Sequence, residues 1–191
     1  GQFYRRQRPK KSQESVQFYR AATAIRPNSI AAWTRLGRAL REIKQIDGAM
    51  RAYSEVIRRH PEKAIGFAMS ALMLMSENRY DESLVYLQRG IAVQPEDAYI
   101  RHCMVKHFQE QKMLAENVEA SREWLRVEPS NPWAYHSLGL AANQYGDTYL
   151  AHQSYKKCSV LFPNFAASHC NLGYVLAETG RYAEALESLK T

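Results

Sequence analysis

Large and small apolar residues recur along this chain at fixed offsets. One series reads Leu36-Gly37, Ser70-Ala71, Met104-Val105, Leu138-Gly139 and Leu172-Gly173; a second reads Ala49, Ser83, Asn117, Ala151 and Ala185; a third reads Tyr53, Leu87, Ser121, Tyr155 and Leu189. Each advances by 34 residues, as does a ladder of prolines at Pro27, Pro61, Pro95, Pro129 and Pro163. Proline lacks the N–H a helix needs and its ring clashes with the preceding turn, so the ladder predicts evenly spaced helix stops. A period of this length with two helices in it is the mark of a solenoid. Small residues set opposite large ones let the two helices of a hairpin approach closely and interdigitate.

Laid out at this period, the chain divides into units 30–63, 64–97, 98–131 and 132–165, with a fifth, 166–191, cut short in its second helix. Residues 12–29 fit the second half of a preceding unit, with Ser15, Tyr19, Ala22 and Pro27 at the small, large, small and proline places. Residues 1–11 form a basic N-terminal segment that is read as the remnant of that unit's first helix. Both ends interrupt a repeat instead of closing on a polar capping helix, so a fragment of a longer array or of a larger polypeptide is expected. Unit 98–131 departs most from the pattern. It has Arg101 where the other units place Trp33, Phe67, Tyr135 and His169, Val105 where a small residue is expected, and Trp124 where Ala22, Val56, Gly90 and Cys158 stand elsewhere. Packing around the indole is the expected outcome, against exposure as a contact or a hinge.

At these residues the chain resembles the tetratricopeptide repeat family, whose pattern runs W-x2-L-G-x2-Y, then A-x3-F, then P. Trp33, Leu36, Gly37, Leu40, Ala49, Tyr53 and Pro61 fall in register, and Leu172, Gly173, Leu176, Gly180, Tyr182, Ala185 and Leu189 repeat the match. The resemblance implies an all-α, right-handed superhelical solenoid of antiparallel helix pairs.

Charge changes this picture less than its total suggests. The formal net charge is +7, but Arg5, Arg6, Arg8, Lys10 and Lys11 lie in a run without an acid, and the rest of the chain is close to neutral. That argues against nucleic acid as the partner and for a solvated basic end. Cys103, Cys158 and Cys170 are odd in number and lack C-x2-C spacing, which fits a reducing compartment such as the cytoplasm better than a disulfide framework. No apolar run is long enough to span a membrane.

The resemblance also implies a site. First helices of the family line a concave groove, and the corresponding residues here are Arg35, Arg38 and Arg41, then Ile65, Met69, Leu72 and Met75, then Tyr99, His102 and Lys106, then Trp133, His136 and Leu140, then Asn171 and Tyr174. The surface so read is basic at one end, methionine-rich and apolar next, then aromatic and polar. It suits a protein or peptide segment with acidic and apolar parts, because methionines adapt to irregular shapes and aromatics supply anchor area. The expected function is a non-catalytic interaction scaffold within a larger protein or assembly. The alternative is a substrate-recruiting arm of a modifying enzyme, such as a glycosyltransferase, whose catalytic domain lies outside these residues.

Two further expectations are negative. The carboxylate clamp that co-chaperones of the family use on heat-shock chaperone tails is not spelled here: the matching places hold Thr34, Arg38, Met69, Tyr99 and Cys103. The asparagine ladder of the O-linked N-acetylglucosamine transferases is represented only by Asn171, beside Arg35, Met69, Cys103 and Ser137. No phosphate loop, H-E-x2-H or G-x-S-x-G motif occurs. His102 and His136 share one place in consecutive units, but two imidazoles without further ligands do not define a metal site, so no cofactor is expected.

Overall fold

The computed structural model describes residues 2–190, and side chains for residues 13–190. The side chains of the basic segment 1–11 therefore lie outside the described residues. Eleven helices follow one another: α1 (Gln2–Ile25), α2 (Ile30–Glu42), α3 (Ile46–Arg59), α4 (Ala64–Ser76), α5 (Tyr80–Val93), α6 (Ala98–Glu110), α7 (Leu114–Val127), α8 (Pro132–Tyr145), α9 (Thr148–Leu161), α10 (Ala166–Glu178) and α11 (Tyr182–Ser188). They pack sequentially as antiparallel pairs, the all-α arrangement expected from the period. No described helix is long and apolar enough to cross a membrane.

Two kinds of turn generate the repeat. Between the helices of a pair, Lys44, Asn78, Lys112, Gly146 and Gly180 adopt left-handed backbone, with φ of 60°, 59°, 56°, 93° and 77°. The residue after each donates its N–H back to the last turn of the first helix: Gln45 to Leu40 O, Arg79 to Leu74 O, Met113 to Phe108 O, Asp147 to Ala142 O and Arg181 to Leu176 O. This closure satisfies carbonyls that the helix end would leave orphaned. Between pairs, a tight turn carries the proline at its second place and closes through Ser29 N–H to Arg26 O, Lys63 to His60, Asp97 to Gln94, Asn131 to Glu128 and Phe165 to Phe162. Proline suits that place because its φ is already set. The ladder is thus a ladder of turns as well as of helix stops.

In two hairpins the residue before the proline reaches back to the start of that hairpin. His60 Nε2 lies 2.8 Å from Asn28 O, and Gln94 Oε1 accepts from Ala64 N–H at 2.6 Å. Ser29, Asp97 and Asn131 cap their helices with their own side chains, accepting from Ala32, Ile100 and Trp133. Lys63 has no acceptor to offer, and Gln94 supplies one from across the hairpin.

The chain forms two compact units, one ending at Cys103 and one beginning at Met104. In the first, Leu36, Leu40, Ala49, Ala52, Tyr53 and Met73 make one buried cluster, against which Tyr19, Trp33 and Met69 pack. In the second, Ala142, Ala151, Tyr155, Leu172, Val175 and Leu176 do the same, and Val118, Leu138 and Ala141 form a smaller cluster. The small-against-large reading is literal. A methyl group added to Gly37 would strike the Tyr53 ring, and one added to Gly139 would sit 2.6 Å from Tyr155 Cε1. Burial raises the phenol pKa of both tyrosines.

Candidate functional site

The residues expected to line the groove sort by unit. In the first, Arg35, Arg38 and Arg41 are exposed along α2, three residues apart and hence on one side of the helix. Ile65, Met69 and Leu72 on α4 are half-buried, and Met69 fills space against the core of the unit. Met75 departs from the expectation of a surface position. It is 3% exposed, because α4 is apolar almost all round and is packed against α2, α3 and α5. Tyr99 on α6 keeps 40% of its surface, and His102 is exposed. Partial burial pushes the Tyr99 phenol up to about 12, with Cys103 acting in the same direction and the nearby Arg38 and Arg41 guanidinium groups opposing it. Those two arginines and Tyr99 therefore share one electrostatic neighbourhood.

The second unit holds a more tightly built cluster. Trp133 on α8 is 55% exposed. Its ring is held edge-on by Phe165, with centroids 4.8 Å apart, and by His136 at 5.6 Å. His136 lies a further 6.0 Å from both Tyr155 and Phe165. Asn171 Nδ2, on α10, is 2.8 Å from His136 Nε2. An amide N–H can only donate, so Nε2 accepts and the imidazole proton sits on Nδ1. Burial lowers the pKa of His136, which favours this neutral form. Leu140 is half-buried beside this cluster on α8, and Tyr174 is exposed on α10. Lys106 stands apart on α6, ion-paired to Glu110 at 3.7 Å.

Two participants escape the sequence pattern. Phe165 precedes α10 at the place where Ser29, Asp97 and Asn131 act as caps, and it makes no such bond. An apolar ring in a capping place was the available signal. Tyr19 and Ser15 on α1 line a cleft with Arg35 and Arg38, although the pattern marks them only as packing residues. Trp124, by contrast, is 4% exposed. Its indole N–H donates to Glu128 at 3.0 Å, and Asn131 donates to the same carboxylate oxygen at 2.8 Å. It is a packing residue and offers no surface. Among the described residues, no three His, Cys, Asp or Glu side chains converge as metal ligands.

Paired helices closed by a left-handed turn and separated by a proline turn, with small residues facing large ones, define a helical-repeat protein. Models of the tetratricopeptide repeat match residues 31–63 and 154–187. The chain is a tetratricopeptide repeat protein. No curated protein matches it in sequence. Among solved structures, MamA is 19% identical, with 84% of this chain and 87% of that one covered and a TM-score of 0.70. PilF of Pseudomonas aeruginosa is 18% identical over 83% of this chain and 72% of its own, with a TM-score of 0.70. YrrB, described as a TPR protein with an unusual peptide-binding site, is 12% identical over 90% and 89%, with a TM-score of 0.67. At these identities the likeness is one of fold.

Proposed function

We propose that this chain is a non-catalytic scaffold that holds a segment of a partner protein against the exposed faces of its first helices, as one module of a larger assembly. Proteins of this repeat family mediate protein–protein interactions. The observation that carries the reading for this chain is Trp133. A tryptophan left 55% exposed and gripped edge-on by Phe165 and His136 is a rigid aromatic anchor beside a polar pair, the composition that interface hot spots favour. Asn171 and His136 present hydrogen-bonding groups next to that anchor, which suits the backbone of an extended segment. Ile65, Met69 and Leu72 give the first unit an adaptable apolar surface of its own. YrrB, a fold neighbour described by its peptide-binding site, is consistent with this use.

The test is selection from a displayed peptide library with the whole chain as bait, followed by measurement of the selected peptides against Trp133→Ser and Asn171→Ala. Loss of about tenfold or more in affinity is expected for Trp133→Ser, the range of hot-spot truncations. Selected peptides that bind both variants as well as the parent chain would overturn the assignment.

A further inference from the structure

Two places on consecutive first helices hold Thr34 with Met69 and Ala68 with Cys103 early in the chain, but His136 with Asn171 in the second unit. The repeat itself therefore asks for neither an imidazole nor an amide there. Among the described residues each of these two side chains makes a single hydrogen bond, the one that joins them, with Asn171 Nδ2 2.8 Å from His136 Nε2. That bond fixes what the pair has left to offer. With Nε2 accepting, the imidazole proton stands on Nδ1 as a donor; with one amide N–H spent, Asn171 keeps Oδ1 as an acceptor. Both residues are half-buried, beside the exposed Trp133 ring that His136 holds edge-on. One donor and one acceptor beside an aromatic anchor match the C=O and N–H of an extended segment.

We infer that His136 and Asn171 form a proton-operated latch on the segment held at Trp133, closed while the imidazole is neutral and opened when acid turns the Asn171 amide over. The inference rests on the scaffold reading above and adds the regulation of that site. A protonated imidazole has no lone pair, so Nε2 must donate. Asn171 then has to present Oδ1 to it. A half-turn of the amide replaces the acceptor that faced the segment with N–H groups, and donor meets donor. The segment's backbone N–H is left without a partner beside an aromatic ring, where an unmade bond costs more than a made one contributes.

The surroundings leave the proton on His136 as the switch. α8 carries no other histidine and no charged side chain. From α9 the Tyr155 ring lies 6.0 Å away, and burial keeps its phenol uncharged. Lys157 of α9 is over the Tyr135 ring, and His152 is beside Arg181. On α10, Tyr174 is engaged by Glu178, His169 by the Pro163 carbonyl, and Cys170 is exposed. On α7, Glu119 and Glu123 pair with Arg122 and Arg126, and Glu128 accepts from Trp124. Lys106 of α6 pairs with Glu110. Burial is the cause that lowers the pKa of His136, so the ring is neutral at physiological pH and charges on mild acidification.

The experiment uses the whole chain and a rhodamine-labelled peptide from the displayed library, chosen to lack Asp, Glu, His and Cys and blocked at both ends, so that only the chain titrates. Anisotropy is read at pH 7.5 and at the lowest pH, down to 5.0, at which circular dichroism shows the chain folded. Binding is expected to weaken about tenfold on acidification, the effect of one backbone N–H left unpaired. His136→Gln and Asn171→Leu are each expected to change less than about twofold between the two pH values. In a set of peptides N-methylated at one backbone position each, one is expected to bind at pH 7.5 as weakly as the parent peptide does in acid, with no further loss on acidification. Nitrogen NMR of the free chain is expected to place the His136 proton on Nδ1 at pH 7.5. The proposal is overturned if that proton is on Nε2, if parent binding is the same at both pH values, or if Asn171→Leu keeps the pH dependence. A selection that yields no peptide sensitive to Trp133→Ser defeats the scaffold reading and the latch with it, whereas pH-independent binding of a Trp133-sensitive peptide defeats the latch alone.

Discussion

Arg101 Nε donates to the carbonyl of Pro95, six residues earlier, at 3.0 Å. Trp33 Nε1 makes the same bond to Pro27 at 2.7 Å, and His169 Nε2 to Pro163 at 3.0 Å. Arginine, tryptophan and histidine have little in common except an N–H at the right reach, so what this place selects in these three repeats is a donor for the proline-turn carbonyl. Arg101→Leu is expected to lower stability by about 1 kcal/mol, the usual net worth of one hydrogen bond, and Arg101→Trp to restore most of it. Urea denaturation of the two variants beside the parent checks both.

Gly139→Ala tests the contact between the helices of a hairpin. The new methyl would meet the ring of Tyr155, which is buried and has no room to withdraw. A loss of about 1 to 3 kcal/mol is expected, as for other overpacked cores, seen as a lower urea midpoint. Adding Tyr155→Leu should recover part of the loss, because the two substitutions share one contact.

Lys112→Gly is expected to stabilise the chain. Lys112 sits at φ 56°, where a side chain costs about 1 to 2 kcal/mol, and Gly146 and Gly180 occupy the same place without that cost. Glycine's greater freedom in the unfolded chain offsets part of the gain, leaving about 0.5 kcal/mol. Gly146→Lys should move stability the other way. Thermal melts under identical conditions decide the sign for each.

Acid should weaken the second unit before its carboxylates titrate. Burial lowers the pKa of His136 below the ordinary 6.5, so the neutral ring belongs to the folded state and the proton favours the unfolded one. Its contribution is complete above about pH 6.5 and is lost as pH falls from there toward the lower folded-state value. Protonation also removes the lone pair that accepts from Asn171. His136→Gln is expected to flatten this part of the stability profile. Glu184 of the same unit, whose arginine partner holds it below the usual carboxylate range, acts only at still lower pH. An unchanged profile in the variant would place the acid sensitivity elsewhere; His152, also lowered by burial and by Arg181 and Lys156, is the other histidine to substitute.

Much of the fold is legible in the sequence because a hairpin repeat imposes the same steric demand every 34 residues. Gly37 opposite Tyr53 and Gly139 opposite Tyr155 are readable as small facing large without coordinates. Lys44 and Lys112 are not readable as left-handed residues from their identity, since lysine has no preference for that conformation; only alignment with Gly146 and Gly180 reveals it. The site is less legible. Met75 shares a helix place with Arg41, yet one is buried and the other exposed, because burial on α4 follows its neighbours and not the repeat. Phe165 and Tyr19 were hidden for the same reason: a place whose repeat role is capping or packing gives no hint that its side chain meets Trp133 in one case or walls a cleft in the other.

The bond from Ala64 N–H to Gln94 Oε1 joins the first residue of α4 to the residue that follows the last of α5. Under tension applied along the chain, neither end of that hairpin can peel away alone, since releasing the start of one helix unclasps the end of the other. The hairpin, rather than the helix, is then the smallest length of chain that yields, and the extension curve of this region should rise in steps of a pair.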